Sequence, residues 1–400
     1  VLCGSLIGLG FLTKMMQAFL VVPGFTLAYL VAAHTTLRRR VVQLLLAGVT
    51  MIMSAGWWVA IVTLIPAADR PYIGGSQHNS ILELIFGYNG FGRLTGNETG
   101  SVTGGGGGFA GAGAGGGGGG AGAWGKTGLT RLFGSEMGTQ VSWLLPAALT
   151  LLVGALWLSL RNRRTDRLRA AMVLWGGWLL VTGATFSLAE GIIHPYYTAA
   201  LAPAIGAVAG IGGIELWRRR NLVTARVFVA VAVALTGWWA HQLLNRTPQF
   251  HSWLASAVLA CGQVAATSIL VPSTAWRRLA TKGATGIAAA VATLAIATAI
   301  AAPAASALDT ASTPHTGSIP SADPASAAGF GGPGGGGRPG SFGGQGGFGA
   351  QGGFGGQGGA GGQGGLPNTT NGTGGTPPPG GRTFGGGSAG GAGGTGGTAG

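Results

Sequence analysis

Ala67-Ala68-Asp69-Arg70-Pro71-Tyr72-Ile73-Gly74-Gly75-Ser76-Gln77-His78-Asn79-Ser80-Ile81-Leu82-Glu83-Leu84 interrupts an otherwise greasy chain. The interruption continues through Gly87-Tyr88-Asn89-Gly90-Phe91-Gly92-Arg93-Leu94-Thr95-Gly96-Asn97-Glu98. Apolar segments of membrane length flank it, at 41–65 and 141–160. A helix needs about 20 apolar residues to cross the hydrocarbon core, so this is a loop held between two spans. It is dense in Arg, Gln, Asn, Tyr, His and Glu, side chains that bind hydroxyls and anions. Loops of this length are usually functional or disordered, and the mixture predicts part of an active-site roof rather than a plain connection.

Working outward, further apolar segments lie at 15–33, 170–190, 197–216, 222–242, 252–272 and 284–302, and residues 1–12 form the tail of another. Only 8% of the 400 residues are charged and 46% are hydrophobic, against about 25% charged in soluble domains. The expected fold class is therefore an all-α polytopic membrane protein, with about eight full transmembrane helices and one truncated. It carries a long outer loop and a disordered glycine-rich C-terminal tail. The domain organisation follows: transmembrane helices over 1–65, an extracytoplasmic loop over 66–140, transmembrane helices over 141–303, and the tail over 304–400. Within the loop, 66–99 reads as ordered and the Gly/Ala tract 104–125 as disordered, because such a tract buries too little surface to fold. The Gly-Gly-Phe and Gly-Gly-Gln repeats of the tail read as a passive linker or stalk.

The net charge of +14 does not indicate nucleic acid, because its basic residues form short clusters between spans with no stacking aromatics among them. These clusters are Arg38-Arg39-Arg40; Arg161, Arg163, Arg164, Arg167 and Arg169; Arg218-Arg219-Arg220; and Arg277, Arg278 and Lys282. They occupy every second connection, which the bias of Lys and Arg toward the cytoplasm assigns to the inner face of the cytoplasmic membrane. Thr13-Lys14, the loop 66–140, Glu190 to Pro195, Gln242 to His251 and the tail then face outward. The chain opens at Val1 inside an apolar run and reads as a fragment without its N-terminal part. Cys3 and Cys261 read as small buried hydrophobes.

Gly120-x4-Gly125-Lys126-Thr127 matches a phosphate-loop pattern formally. The chemistry needs a strand before that loop and a helix after it, and a glycine tract stands there instead. The histidines show no metal-ligand spacing, so no metal site is assigned and no cofactor is expected; a divalent ion has no support from ligand spacing. Asn97-Glu98-Thr99, Asn368-Thr369-Thr370 and Asn371-Gly372-Thr373 are formal glycosylation sequons. Lys14 sits where two spans meet, and a charge at membrane depth is costly and marks function. Snorkelling to the interface is the alternative. Ala189-Glu190-Gly191-Ile192-Ile193-His194-Pro195-Tyr196-Tyr197 adds a carboxylate, an imidazole and two phenols at the same face. An interfacial aromatic belt explains the tyrosines, but explains Glu190 and His194 poorly.

Gly10-Phe11-Leu12-Thr13-Lys14, Arg70-Pro71-Tyr72-Ile73-Gly74-Gly75-Ser76, Phe86-Gly87-Tyr88-Asn89-Gly90, Gln140-Val141-Ser142-Trp143-Leu144-Leu145-Pro146 and His194-Pro195-Tyr196-Tyr197 together resemble the bacterial branch of the dolichyl-phosphate-mannose protein mannosyltransferases. That branch is related to the lipid A aminoarabinose transferases. The resemblance covers roughly 1–303. It implies a membrane glycosyltransferase that moves mannose or a related sugar from a polyprenyl-phosphate donor to a lipid, glycan or protein acceptor outside the membrane. Lys14 matches the lysine that contacts the donor phosphate in the aminoarabinose transferases, and Arg70 is expected to assist it. Tyr72, Gln77, Asn79, Glu83, Tyr88, Glu190, His194, Tyr196 and Tyr197 are the candidate sugar- and acceptor-binding residues. The family's catalytic carboxylate lies in a first outer loop that this sequence does not contain, so no catalytic base is named. The competing reading is a transporter or flippase of a lipid-linked sugar. It calls for polar residues at the midplane of several spans, whereas here they gather at the outer ends.

Overall fold

The computed structural model describes residues 1–97, 125–272, 274–275, 284–313 and 322. All fall within the compact unit Val1–Pro339. The tract 104–124, Glu98 and Thr99, the cluster Arg277, Arg278 and Lys282, and the tail beyond 313 other than Ala322 lie outside the described residues. So do Gly120 of the phosphate-loop match and the sequons at 368–373.

Among the described residues there are long helices and no strand. We number them α1 (Leu2–Lys14), α2 (Val22–Ala32), α3 (Leu37–Leu64), α4 (Leu145–Ser159), α5 (Arg167–Leu188), α6 (Ala202–Arg218), α7 (Val223–Leu244), α8 (Ser252–Leu270) and α9 (Ala284–Ser312). Eight stretches are long and apolar enough to cross a membrane, which makes this a multi-pass membrane protein. The first of the eight, Leu2–Ala32, contains a reversal. At Met15 the backbone takes φ 43° and ψ −132°, and a 3-10 segment, Met15–Val21, leads into α2. A methyl group on Gly4 would fall 2.0 Å from the Ala47 carbonyl oxygen, and one on Gly8 would meet the Met51 carbonyl. So α1 runs alongside α3 in the same direction. Tyr29 and Arg40 bond Gln43 and the Leu30 carbonyl respectively, so the end of α2 meets the start of α3. Hence α1 and α2 are two opposed legs joined at Lys14-Met15.

Several boundaries differ from the sequence expectation. Arg38, Arg39 and Arg40 belong to the first turns of α3, and Arg167 and Arg169 to the first turn of α5, because arginine is a good helix former. The last helix does not stop at 302. It continues through Pro303 to Ser312, so 304–312 is helix rather than disordered tail. The residues after Pro303, Ala-Ala-Ser-Ala-Leu, favour helix, and Thr310 donates to Ser306 O at 2.9 Å. Ala322 N–H donates to Gln140 Oε1 at 3.0 Å, and its carbonyl accepts from Thr310 at 3.1 Å. Cys3, expected to be buried, is exposed on α1.

In lipid, helices associate through close packing and hydrogen bonds more than through hydrophobicity. The α2–α5 pair shows how. A methyl group on Gly177 would sit 2.5 Å from Gly24 Cα, and one on Gly24 would sit 2.8 Å from Trp178 N. Only glycine permits this contact. The main core lies among α4 to α7, where Met172, Leu201, Val208 and Leu216 are completely buried.

The connections sort into two ends. At one, Arg164 donates to Val31 O and Ala33 O at 3.2 and 3.0 Å, and Arg40 to the Thr35 carbonyl. At the other, Gly128 N donates to Ser187 O at 2.8 Å, and Arg246 to Gly134 O and Phe133 O at 2.6 and 2.7 Å. The arginine-rich connections that are described thus share one end, and the polar loops share the opposite one.

Candidate functional site

The polar loop binds chiefly to itself at its start. Arg70 donates to Ile65 O from Nε at 2.9 Å, to Asn79 O from Nη1 at 3.1 Å and to Thr63 O from Nη2 at 3.3 Å. It thereby occupies carbonyls left open at the end of α3. Asn79 takes φ 52°, the left-handed region that Asn tolerates. Its side chain accepts from Ile73 N at 2.7 Å and donates to Ala67 O at 3.2 Å. Glu83 accepts from His78 N at 3.0 Å, and this bond chiefly holds its carboxyl below the usual range. Arg70, Asn79 and Glu83, read from the sequence as ligands of phosphate or sugar, therefore shape the loop. Tyr72, Gln77 and Glu190 are exposed, and none of the three lines the cavity described below.

The second half of the loop does approach the helix ends. A wide helix, Glu83–Phe91, breaks at Gly90 and leads into one turn, Gly92–Thr95. Gly191 N donates to Arg93 O at 3.0 Å and Glu190 N to Leu94 O at 3.1 Å. These two bonds fasten the loop to the connection before α6. The Arg93 side chain completes the clasp: Nη1 donates to Ile192 O at 2.7 Å, and the guanidinium lies 4.5 Å from the Tyr88 ring centre. Beside it, Lys14 Nζ lies 4.0 Å from the Tyr197 ring centre and 5.8 Å from that of Tyr196. His194 stacks on Tyr196 and meets Tyr197 edge-on. Burial, and after it the charges of Arg93 and Lys14, push His194 below its ordinary value, so the imidazole is neutral at pH 7.

Of these groups Lys14, Arg93 and Tyr197 line a cavity of about 390 Å³. Its polar lining comes from the helix ends and the clasp: Thr13, Lys14, Asn89, Arg93 and Tyr197. Its apolar lining includes Phe19 and Leu20 of the 3-10 segment, Pro23 of α2, and Val181 and Phe186 of α5. None of the described lining side chains is a carboxylate. The cavity is amphipathic, with two cations over a hydrocarbon wall. Met15 also lines it, and its positive φ is the kind of backbone strain that gathers at ligand sites; Asn89 donates to its Sδ at 3.3 Å. Arg131, only 2% exposed, supports the wall by donating to Ala189 O at 2.6 Å. A larger cavity of about 980 Å³ lies between α1, α2, α3 and α5 toward the arginine end, and it has no charged side chain among its lining. Among the described residues no group of three or more His, Cys, Asp or Glu is placed to hold a metal ion.

The structure thus brings together Lys14, His194, Tyr196 and Tyr197, with Tyr88 behind Arg93. Sequence reasoning missed Arg93 and Asn89. Arg93 was legible in one respect: besides Arg70 it is the other arginine between residues 66 and 97, and it follows an aromatic residue by about one helical turn.

No family model matches the chain, and no solved structure matches it. Two curated bacterial proteins do. The chain is 33% identical over 340 residues to "Putative mannosyltransferase YkcB" of Bacillus subtilis (strain 168), covering 66% of this chain and 47% of that protein. It is 34% identical over 307 residues to "Putative mannosyltransferase YycA" of the same organism, covering 60% and 45%. The chain spans a little under half the length of these relatives. Its similarity is therefore to proteins named as mannosyltransferases, in keeping with the resemblance that its own motifs carry.

Proposed function

We propose that this chain forms part of a membrane glycosyltransferase, and that the cavity beside Lys14 takes the phosphate and first isoprene units of a polyprenyl-phosphate sugar. One observation carries the reading: Lys14 and Arg93 stand, with no carboxylate among the described lining residues, over a hydrocarbon-walled cavity at one end of the helices. A phosphate needs cations; its carrier lipid needs Phe19, Leu20, Pro23, Val181 and Phe186. The names of the two relatives support sugar transfer, with mannose as the first candidate sugar. The bias of arginine clusters toward the cytoplasm supports an extracytoplasmic position for the cavity, in the cytoplasmic membrane.

In this reading polyprenyl phosphate is the leaving group, so no nucleotide is needed. As the glycosidic carbon–oxygen bond breaks, charge grows on the phosphate, and preorganised cations in a water-poor cleft stabilise it. Lys14 acts as a point charge and Arg93 as a fork whose other nitrogen is anchored on Ile192 O. A base must take the acceptor hydroxyl proton. The described lining residues supply no carboxylate for it. The acceptor is a glycan, lipid or protein hydroxyl, and no metal is invoked.

The test is turnover of a polyprenyl-phosphate mannose by membranes carrying the full-length protein, with Lys14→Ala and Arg93→Ala beside the parent. Loss of turnover in both variants, at undiminished expression, is expected. Turnover equal to the parent in either removes that residue from the site.

A further inference from the structure

Lysine is a poor fixed charge, since its four-carbon stem is flexible and its ammonium strongly hydrated. Lys14 is exposed at the end of α1, where nothing in its own helix fixes the head group. What fixes it comes from the start of the Pro195–Leu201 segment. The ammonium lies 4.0 Å from the Tyr197 ring centre, well inside the range of about 6 Å in which a ring quadrupole attracts a cation. The Tyr197 ring is itself held from two sides. Tyr196 meets it at 4.8 Å and 88°, and His194 at 5.2 Å and 87°. Those two rings stack on each other at 5.4 Å and 7°, with Pro195 stiffening the chain between them. Edge-to-face and stacked rings at these separations are favourable arrangements, so the trio is a rigid backing rather than a loose belt.

We propose that Tyr197 is the positioning residue for Lys14: its ring face, rather than its hydroxyl, holds the ammonium at the mouth of the cavity, with Tyr196 and His194 as the frame. The consequence for catalysis rests on the donor-phosphate reading above; the geometry does not. The ring covers one side of the ammonium and excludes water there, which leaves the remaining N–H donors for an anion. A neutral His194 suits this frame, because a third positive charge beside Lys14 would repel it. The arrangement also explains why two adjacent tyrosines follow His-Pro: one faces the cation and the other holds the first.

The experiment uses full-length protein in nanodiscs, with lysines reductively methylated with carbon-13. Lys14 is one of three lysines in the sequence, with Lys126 and Lys282, and Lys14→Arg assigns its signal. The parent and Tyr197→Phe are expected to show the Lys14 methyl signal shifted upfield by the ring current, and Tyr197→Leu to lose that shift. In turnover, Tyr197→Leu is expected to raise the donor KM by about 2- to 30-fold, the reach of a cation–π contact, and Tyr197→Phe to raise it by less. A series of fluorinated phenylalanines at position 197, which weakens the ring quadrupole without changing shape, serves if the leucine variant does not fold. KM rising with each fluorine supports the proposal, and a flat series overturns it. Tyr197→Phe as damaging as Tyr197→Leu also overturns it, by assigning the role to the hydroxyl. An unshifted Lys14 signal in the parent overturns the geometry. A ring-current shift that persists in a parent unable to turn over any polyprenyl-phosphate sugar leaves the geometry standing and removes the donor reading alone.

Discussion

Replacing Arg93 by methionine separates the two jobs that the clasp gives this residue. The methionine keeps an apolar stem of similar length and removes the charge. Structurally, the loop loses the 2.7 Å bond to Ile192 O and the contact with Tyr88. A bond from a charged donor contributes about 1.5–3 kcal/mol and a partly exposed cation–π contact about 0.5–1 kcal/mol. The two backbone bonds from Gly191 and Glu190 do not involve the side chain and survive, so the loop stays docked but loosens by roughly 2–4 kcal/mol. Electrostatically, a unit charge about 4 Å from a phosphate at an effective dielectric of about 20 is worth ~4 kcal/mol. Lys14 remains, and water enters the vacated space, so about half of that is expected to appear, ~2 kcal/mol or roughly a 30-fold rise in donor KM. Arg93→Lys keeps the charge and loses the fork, and should recover most of the affinity but not the loop docking. The assay is steady-state turnover of a polyprenyl-phosphate sugar by full-length protein, paired with hydrogen exchange over residues 83–97. Faster exchange in both variants, with KM raised mainly in Arg93→Met, is the expected pattern. A donor KM for Arg93→Met within twofold of the parent would refute the reasoning, because the second cation would then not face the phosphate.

Gly177→Leu forces a side chain into a contact where a methyl group alone would stand 2.5 Å from Gly24 Cα. It should separate α2 from α5 and cost about 1–3 kcal/mol as an overpacked contact, seen as a lower melting temperature in detergent, while Gly206→Ala, which meets open space, should be silent. Arg131→Leu leaves Ala189 O and Phe186 O without their donor inside a buried wall; thermal unfolding should show a loss of about 2–4 kcal/mol, part of which the relief of a buried charge offsets. His194 also gives a pH signature. Its folded value lies below the ordinary 6.5, so below that pH the unfolded chain binds the proton more readily, and stability falls as pH drops through 6.5 toward the folded value and is flat above. His194→Phe, which keeps a ring in the stack, should remove that slope in melting curves taken between pH 5 and 7; a slope that persists unchanged assigns it to another group.

Much of the fold could be read from hydropathy and from the recurrence of arginine clusters, because spanning helices must satisfy their own backbone and so announce themselves by length. The reversal at Lys14-Met15 was legible too: two apolar runs separated by Thr13-Lys14 leave no other place for the turn. The site was legible where it depends on sidedness. Lys14 and His194-Pro195-Tyr196-Tyr197 each end or begin a span at the same end, so they had to meet. It was not legible where it depends on how a loop folds on itself. Arg70 and Arg93 carry the same charge in the same loop. Nothing in the residue type says that Arg70 is spent on the carbonyls of Thr63 and Ile65 while Arg93 reaches the cavity. The difference comes from the turn at Asn79 and the break at Gly90, neither of which a hydropathy pattern records. The extension of α9 to Ser312 was missed because the apolar span was ended at 302, and the alanines after Pro303 carry the helix on.

The central claim is that this cavity holds a phosphate on a greasy carrier. Retention of a polyprenyl phosphate by full-length protein in nanodiscs, followed by native mass spectrometry for the parent and for the Lys14→Met, Arg93→Met double variant, tests it most directly. The account predicts a bound polyprenyl phosphate on the parent that the uncharged alcohol does not displace, and at least about a 100-fold weaker hold in the double variant. Equal retention by the two proteins, or displacement by the alcohol at equal concentration, would contradict it.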